Sequence, residues 1–568
     1  MDTPGAVNTK AWSQVRMGSQ GAVVSNHPLS SLAGMRMLMN GGNAVDAAVA
    51  IGFALGVAEP QGSGIASDGF IMVHMKEPGT VAIANGTGYA PMAATSERFK
   101  NGLETTGILS VSVPGLCDAL LSAHERHGRL SLKECIAPAI ELCLEGVPQT
   151  HYQYKLAQSC DQLHKFPASA GIFAPGGHPL RPGEIRRNPD LARTYQLIAE
   201  HGRDAFYRGP IADALINFSN DAGGILTKED LSGYNMVWQD PISTTYRGRT
   251  VYEAPPNSSG HALLQSLNLI EHFDMTTLGL NTAEGIHVMV EAKKLAFADR
   301  ESFLADPDFV DVPIEGLISK EYAADRVRLI DIERAANKVS AGDPWAYQDR
   351  PADPKSPFKR TDPKSREHHS ETTHYCVIDR WGNAVDGLQS LSSNFGSQVV
   401  CPGTGMLLNN RMNYWHLDAD HVDCLQPGKR VRHTMNPVMV FNAPPEDGGS
   451  LDMCCGTPGA DTQVQSNMQL ISAIYDHNYT VTEAIHAPRW THSQERTDSM
   501  YPHNNKNDLI VESRIDSGVV DELARLGHPA RGVGPWAGKG SVGAIRVNTS
   551  GSLSAASDPR RDGQALVY

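Results

Sequence analysis

The chain has 568 residues, with 49 lysines and arginines against 63 aspartates and glutamates, and its formal net charge is −14. Hydrophobic residues make up 40% and charged residues 20%, a balance typical of a soluble folded protein and not of a disordered one. The acidic balance argues against a nucleic-acid-binding protein, which needs a basic face. The length predicts two to four domains or one large layered enzyme domain.

The chain begins with a predicted strand at residues 21–25 and a helix at 28–40. Apolar residues on one face of that helix are Leu29, Leu32, Met35, Leu38 and Met39. A second helix, 44–57, is apolar on nearly all sides and should be buried. Asn43 is suited to cap it and Asp46 to lie in its first turn, while Glu59 and Pro60 end it.

The rest of the chain divides into a helical middle and a strand-rich end. Further helices are predicted at 116–127, 132–144, 188–201, 210–217, 262–273, 282–304, 462–475, 481–486 and 517–526. Strands are predicted at 70–74, 81–84, 242–252, 373–379, 384–391, 405–408, 438–441, 451–455, 542–547 and 553–556. Strands between helical layers favour stacked sheets.

Residues 343–370 are charged, interrupted by proline and poor in apolar side chains, which predicts an exposed, mobile segment. An ordinary linker or surface loop has the same composition. His368 and His369 lie in this segment and His374 follows it, so we interpret them as solvated histidines and predict no metal site and no cofactor.

The polar segment runs directly into Thr372 and Thr373, which open a predicted strand. Threonine is a weak nucleophile unless a base lies beside it. Cutting the chain before a threonine supplies that base, because an α-amine has a pKa of about 7.7–8.0. The pattern alone is also typical of an ordinary strand, since threonine favours strands.

Several motifs in this order resemble the γ-glutamyltranspeptidase superfamily. They are GGNAVDAAVA at residues 41–50, VAEPQGSGI at 57–65, TTHYCVIDRWGNAV from 372, SNFGS, GMLLNN, GTPGADTQVQ at 456–465 and SDPRRDG at 557–563. The resemblance covers nearly the whole chain. It implies an α+β fold, a four-layer αββα sandwich of the N-terminal-nucleophile hydrolases, made as one precursor and autoprocessed into two subunits.

By this resemblance the cut lies between Glu371 and Thr372. It would leave a large subunit, residues 1–371 with the mobile segment 343–371 at its end, and a small subunit, residues 372–568, that together form one domain. Thr372 matches the family nucleophile. Ser390 stands where the family has a second threonine that hydrogen-bonds the nucleophile. Gly459 and Ala460 match a Gly-Gly pair whose N–H groups form the oxyanion hole.

The positions that recognise an amino-acid substrate in the family differ here. Thr87 stands at the position of the arginine that grips the α-carboxylate, and Ser392 replaces an asparagine. Tyr414 replaces an acid, Arg411 a glutamine, and His433 and Thr434 a pair of serines. Arg411 is suited to grip a carboxylate on a different acyl group, although a structural role is equally typical of a single arginine.

The resemblance therefore implies an autoprocessed threonine amidohydrolase or acylase that cleaves a small amide and is not specific for γ-glutamyl groups, such as an oxamate-type or acylase-type enzyme. Two alternatives remain: a γ-glutamyltranspeptidase or glutathione hydrolase, and an unprocessed, non-catalytic binding protein. The expected partners are a small amide and the second subunit, with further dimerisation open, and neither nucleic acid nor membrane. Residues 1–16 have no signal-peptide pattern, which predicts a cytoplasmic protein, or a periplasmic one if a signal was trimmed.

Overall fold

Two seven-stranded sheets form the centre of the protein in a computed structural model, which describes residues 16–349 and 370–568. The strands are β1 (Arg16–Gly18), β2 (Gly21–Ser25), β3 (Asp68–Met75), β4 (Thr80–Gly86), β5 (Val147–Pro148), β6 (Ile185–Arg186), β7 (Val237–Gln239), β8 (Ile242–Tyr246), β9 (Arg249–Glu253), β10 (Ser370–Asp379), β11 (Ala384–Ser393), β12 (Val400–Cys401), β13 (Met406–Leu407), β14 (Val438–Phe441), β15 (Leu451–Gly456), β16 (Trp490–Ser493), β17 (Asp508–Glu512), β18 (Ala530–Val533), β19 (Gly543–Val547), β20 (Leu553–Ser557) and β21 (Gln564–Val567).

Sheet I has the strand order β21-β2-β10-β11-β3-β4-β7, and sheet II has the order β1-β20-β19-β15-β14-β9-β8. Neighbouring strands within each sheet are antiparallel. Both sheets combine strands from before and after Thr372. In sheet I, β2 lies between β21 and β10, and β3 pairs with β11; in sheet II, β1 pairs with β20 and β9 pairs with β14. A cut before Thr372 would therefore leave two pieces joined by strand pairing.

Helices cover both outer faces of the paired sheets. They are α1 (Pro28–Met39), α2 (Ala44–Ala58), α3 (Leu116–His127), α4 (Leu132–Glu145), α5 (His151–Ala157), α6 (Pro167–Phe173), α7 (Pro189–His201), α8 (Arg203–Tyr207), α9 (Pro210–Asp221), α10 (Lys228–Ser232), α11 (Gly260–Ile270), α12 (Met275–Leu278), α13 (Ala283–Phe303), α14 (Ile314–Leu317), α15 (Lys320–Arg326), α16 (Gln463–Tyr475), α17 (Val481–His486) and α18 (Ser517–Arg525).

Alternation along the strands divides the core into three layers. In β14, Met439 and Phe441 pack between the sheets, while Val438 and Val440 face the helices that cover sheet II. The same separation holds in sheet I, because side chains along a strand point to opposite faces in turn. The predicted αββα sandwich is confirmed.

Helix α2 matches its prediction. Asn43 and Asp46 form a capping box at its first turn, and every residue from Ala44 to Ala58 is buried. The helix ends at Glu59, which takes the C-cap position. Because α2 packs against β10, its end brings Glu59 to the start of that strand.

The predicted buried face of α1 is partly wrong. Met35 and Leu38 are buried, but Leu32 is 50% and Met39 58% exposed. The helix instead turns its small residues towards α2: a Cβ on Gly34 would lie 2.6 Å from Ile51. Close approach of two helices requires small residues at the contact, and this arrangement places Leu32 and Met39 towards solvent.

The predicted mobile segment falls largely at residues 350–369, outside the described part of the chain. Its described start differs from the prediction, because Pro344–Tyr347 forms a 3₁₀ turn and packs with Phe303, Leu317 and Tyr322. The two-subunit division at residue 371 remains a prediction. Within the described ranges no helix is long and apolar enough to cross a membrane. All nine cysteines are free thiols, and only Cys424 is not fully buried.

Candidate active site

Thr372 lies at an irregularity in the middle of sheet I. Strand β10 pairs with β2 on one side and β11 on the other, and its register with β11 shifts between Glu371 and Thr373. Such bulges redirect a side chain relative to regular strand alternation. Thr372 is nevertheless 2% exposed, so the bond before it is enclosed by protein.

Ser390 connects the hydroxyl of Thr372 to the peptide bond that precedes it. The Thr372 hydroxyl donates to Ser390 Oγ at 3.1 Å, and the Ser390 hydroxyl donates to the carbonyl oxygen of Glu371 at 2.9 Å. The serine thus contacts both the hydroxyl of the predicted nucleophile and the carbonyl group that this nucleophile would attack. The sequence prediction placed Ser390 beside Thr372, and the structure brings these residues together.

Two residues missed by the sequence analysis hold the side chain of Glu371. Arg561 Nη1 lies 2.7 Å from Glu371 Oε2, and the Tyr152 hydroxyl donates to Oε1 at 2.9 Å. Arg561 Nη1 also donates to the carbonyl oxygen of Thr372 at 3.2 Å. Burial opposes the charge of Arg561, but the Glu371 carboxylate raises the arginine pKa above its usual value. The motif SDPRRDG was the available signal for Arg561, whereas nothing local marked Tyr152.

Glu59 is a second buried carboxyl group at the same place. The hydroxyl of Thr373 donates to Glu59 Oε2, and Gln61 Nε2 donates to Oε1 at 3.3 Å. Arg561 Nη1 is 3.9 Å from Glu59. Burial raises the pKa of Glu59 to about 8, although Arg561 and Thr373 oppose this shift. At neutral pH Glu59 is therefore mostly protonated. Burial also raises the pKa of Glu371, and Arg561 and Tyr152 oppose that shift.

The predicted oxyanion-hole residues follow β15 in a tight turn. Gly459 has φ +122° and Ala460 has φ +48°, and the 3₁₀ turn from Ala460 to Thr462 packs against β10. A positive φ is costly for alanine, and such strain is found most often at functional sites. The turn is therefore near the strand that carries Thr372, and the role of its N–H groups remains a prediction.

Three of the predicted substrate-binding residues surround Asp68, which the sequence analysis missed. Arg411 Nε lies 3.2 Å and His433 Nε2 3.5 Å from Asp68 Oδ2, and the Arg411 guanidinium lies 4.4 Å from the centre of the Tyr414 ring. All four side chains are buried. We call these four residues the Asp68 cluster. Burial and Arg411 lower the pKa of His433 to about 4, so Asp68 neutralises Arg411 and not a histidinium.

The Asp68 cluster lies beside β11, the strand that carries Ser390. Asp68 is the partner of Ser390 in the β3–β11 ladder, and Arg411 Nη2 donates to the carbonyl oxygen of Ser390 at 3.4 Å. An acidic residue at the start of an otherwise apolar strand was the signal for Asp68. Because Arg411 already has a charged partner, the structure favours a structural contribution from this arginine.

The other three predicted residues lie around this cluster. Thr87 precedes Gly88, whose N–H donates to Asp68 Oδ1 at 2.8 Å, and Asn257 Nδ2 donates to the Thr87 hydroxyl at 3.1 Å. Ser392 is opposite Glu371 in the β10–β11 ladder. Thr434 is buried next to His433. Their roles in substrate binding remain predictions.

Among the described residues, four groups bring His, Cys or carboxylate atoms close enough to hold a metal, and the one nearest the site is His374, Cys376 and Asp386. His374 is buried, so its predicted exposure to solvent is wrong. Its Nε2 lies 3.2 Å from each Asp386 oxygen, and Cys454 Sγ donates to the same carboxylate at 3.2 Å. These groups form a buried hydrogen-bond network centred on the Asp386 carboxylate. His368 and His369 lie outside the described residues.

Comparisons with known proteins match nearly the whole chain to one family. The family model described as gamma-glutamyltranspeptidase matches residues 30–568. A glutathione hydrolase-like YwrD proenzyme of Bacillus subtilis is 35% identical over 97% of this chain and 99% of its own length. An acylase ACY 1 proenzyme of Pseudomonas sp. is 34% identical over 97% of this chain and 94% of its own length.

Solved structures similar to this chain belong to the same kinds of enzyme as the sequence relatives. The crystal structure of a cephalosporin acylase from Bacillus halodurans has a TM-score of 0.87 and 32% identity, and the match covers 100% of this chain and 99% of that one. The chain therefore belongs to the gamma-glutamyltranspeptidase family and is an amide hydrolase of the N-terminal-nucleophile type.

Proposed function

We propose that this chain is a precursor that cuts itself between Glu371 and Thr372 and then hydrolyses a small amide through an acyl group carried on Thr372. The single observation that carries the proposal is the chain of hydrogen bonds from the Thr372 hydroxyl through Ser390 to the Glu371 carbonyl. The Ser390 hydroxyl therefore contacts both the proposed nucleophile and the carbonyl group of the bond that it would cut.

Self-cleavage follows from that arrangement in two steps. The Thr372 oxygen adds to the Glu371 carbonyl carbon, the C–N bond breaks, and the nitrogen takes the proton, which gives an ester and a free α-amine. Water then hydrolyses the ester and leaves Glu371 with a new carboxylate. Ser390 supports the first step because its hydroxyl donates to the oxygen on which negative charge develops.

The mature enzyme repeats the chemistry on a substrate. The free α-amine of Thr372 takes the hydroxyl proton, the oxygen attacks the substrate amide, and the amine product leaves with a proton. Water releases the acid from the acyl-enzyme. The N–H groups of Gly459 and Ala460 are the proposed donors to the oxyanion in this reaction.

We propose an acyl group other than γ-glutamyl, such as that of an oxamate-type or acylase-type enzyme. The residues at the family's amino-acid-recognition positions are changed, and Arg411 is neutralised by Asp68. Relatives named acylase and cephalosporin acylase support this reading. Relatives named glutathione hydrolase support γ-glutamyl hydrolysis as the second candidate. Release of a chromophore from a γ-glutamyl anilide at a rate similar to other amides would favour the second.

Denaturing electrophoresis and an amide assay test the nucleophile. The wild type should give two bands near two-thirds and one-third of 61.3 kDa. Thr372→Ala should give one band and no hydrolysis. Thr373→Ala is the matched control, and we expect it to keep partial cleavage because its hydroxyl contacts Glu59 and not the scissile carbonyl.

Hydrolysis by Thr372→Ala would overturn the assignment. A wild-type chain that stays whole and inactive would favour the non-catalytic binding protein. A cytoplasmic location and further dimerisation are proposals that this experiment leaves open.

A further inference from the structure

Four side chains of the types that bind transition metals meet in the layer between the two sheets. Asp386 Oδ2 lies 3.2 Å from His374 Nε2 and 3.2 Å from Cys454 Sγ. Cys376, His374 and Asp386 each offer a ligand atom, and these three atoms all lie within 4.8 Å of one another. None of the four residues is more than 1% exposed. We call these four residues the intersheet cluster.

Strand pairing explains why these side chains meet. Cys376 is the partner of Asp386 in the β10–β11 ladder, and His374 comes two residues before Cys376, so all three point to the same face of sheet I. Cys454 belongs to β15 of sheet II, and both cysteines pack in the layer between the sheets. Three strands therefore hold the donor atoms, and rigid elements of this kind keep metal ligands in a fixed geometry.

The carboxylate of the intersheet cluster has no competing cation. In the described part of the chain, Asp386 lies within ion-pair distance of His374 and of no lysine or arginine. Nδ1 of His374 is buried without a hydrogen-bond partner. In the other three groups that could hold a metal the carboxylate is already engaged: Glu291 by Lys294, Glu301 by Arg432, and Asp46 by backbone N–H groups.

We propose that the intersheet cluster binds one Zn²⁺ ion, which joins sheet I to sheet II. A mixture of thiolate, imidazole and carboxylate donors suits Zn²⁺, whereas Mg²⁺ and Ca²⁺ prefer oxygen ligands. Four protein ligands close the coordination sphere, as in structural zinc sites, and leave no position for a reacting water. The ion therefore takes no part in the attack by Thr372, and the proposal does not depend on the proposed function.

The distances in the cluster suit an ion of this size. Zinc forms bonds of about 2.0–2.3 Å, so neighbouring ligand atoms of a tetrahedral site lie about 3.3–3.8 Å apart. His374 Nε2 and Cys454 Sγ are each 3.2 Å from the same Asp386 oxygen. Small movements of the side chains therefore bring these atoms to the spacing that the ion requires.

Charge balance allows the ion to enter an apolar layer. Burial raises the pKa of the Cys376 and Cys454 thiols, so both are protonated when no metal is bound. Binding of Zn²⁺ forms two zinc–sulfur bonds and releases the two thiol protons to water. One doubly charged ion thus replaces two protons, and the net charge of the interior stays the same.

Metal analysis of the full-length chain tests the proposal. After expression with added zinc and dialysis against metal-free buffer, mass spectrometry should find about one zinc ion per wild-type chain. The double variant Cys376→Ser, Cys454→Ser should contain none above background. Cys455→Ser is the matched control and should keep the zinc, because Cys455 is equally buried but packs with the helices that cover sheet II.

Cobalt and a chelator supply two further measurements. Expression with cobalt in place of zinc should give the visible absorption bands of cobalt–thiolate bonds in the wild type and in Cys455→Ser, but not in the double variant. Because an ion that binds only the folded state stabilises it, a chelator present during unfolding and refolding should lower the denaturant midpoint of the wild type. The midpoint of the double variant should not respond to the chelator.

Each outcome decides for or against the ion. A wild-type chain without zinc above background overturns the proposal and leaves the cluster a hydrogen-bond network alone. Equal zinc contents in the wild type and the folded double variant overturn it as well, since that zinc binds elsewhere. If the double variant does not fold, the cobalt spectrum of the wild type decides, and absence of thiolate bands overturns the proposal. Zinc bound to a chain that never cuts itself would support the ion and overturn only the proposed function.

Discussion

The hydroxyl of Ser390 donates to the carbonyl oxygen of Glu371 at 2.9 Å, from the strand that pairs with the one carrying the bond to be cut. The same oxygen atom of Ser390 accepts the hydrogen of the Thr372 hydroxyl. In the proposed reaction, one side chain would therefore both orient the nucleophile and polarise the carbonyl group that it attacks.

Removing this hydroxyl should slow maturation. We expect Ser390→Ala to reduce the rate of self-cleavage about 100- to 1,000-fold, the usual effect of losing one oxyanion donor. Ser390→Thr keeps the hydroxyl and is the matched control. The rate is measured as loss of the full-length band on denaturing gels. Equal rates for Ser390→Ala and the wild type would show that the serine has no part in the reaction.

Burial of Glu59 should make the precursor less stable as pH rises. The folded state keeps the Glu59 proton up to a pKa of about 8, whereas the unfolded chain releases it near the ordinary glutamate pKa of 4.5. Between these pH values the unfolded state binds fewer protons, so the free energy of unfolding falls by up to about 1.4 kcal/mol per pH unit. Above pH 8 both states are ionised and this contribution becomes constant.

Denaturant titrations of the uncut Thr372→Ala chain at pH 5, 6, 7 and 8 measure this slope. Adding Glu59→Gln should make this slope shallower, because glutamine cannot ionise, while the other titratable neighbours, Arg561, Glu371, Tyr152 and Asp562, stay in place. Identical slopes for the two chains would contradict the raised pKa of Glu59.

Substitutions of the buried pair Asp68 and Arg411 should have strongly non-additive effects on the free energy of unfolding. Asp68→Asn leaves the guanidinium without a counter-charge and should lower the free energy of unfolding by about 3–5 kcal/mol. Asparagine still accepts from the N–H of Gly88, so the change is mainly one of charge. Arg411→Met added to Asp68→Asn should cost less than the two single changes together. Additive costs would mean that the two charges do not stabilise each other.

The turn at Gly459 should not tolerate a side chain at this position. Its φ of +122° disfavours any L side chain, and a Cβ there would collide with the Thr462 hydroxyl. Gly459→Ala should lower the free energy of unfolding by about 1–3 kcal/mol and slow amide hydrolysis. Ala460→Gly is the matched control: its φ of +48° suits glycine, so we expect a stability change within about 1 kcal/mol. Equal stability of the two variants would argue against strain at this turn.

Much of the fold was readable from local patterns. Asn43 and Asp46 identified the start of α2, and the motif from Thr372 identified β10 and β11 with the turn between them. The helices His151–Ala157 and Pro167–Phe173 were missed because seven residues make only two turns, too few for an apolar period to be visible. The exposed side of α1 was misassigned because Gly34, and not leucine, makes the closest contact.

The candidate site was predictable only where its residues follow one another in a motif. Thr372, Ser390 and the turn at Gly459 were located by resemblance. Tyr152, Glu59 and Arg561 come from three distant parts of the chain, and only the packing of α2, α5 and the last strands brings them together. Arg411 was recognised as unusual, but its partner Asp68 is 343 residues away. Neither composition nor spacing can pair two such residues.

Arg561 lies 189 residues after Thr372 and yet contacts both residues that flank the proposed cleavage site. Synthesis therefore reaches the supporting arginine only after both sheets have received nearly all of their strands. We expect the proposed self-cleavage to require a nearly complete fold, because a partly made chain lacks a group that holds the site together. A chain ended before residue 553 should remain whole on a denaturing gel, and its cleavage there would show that the site forms without its final residues.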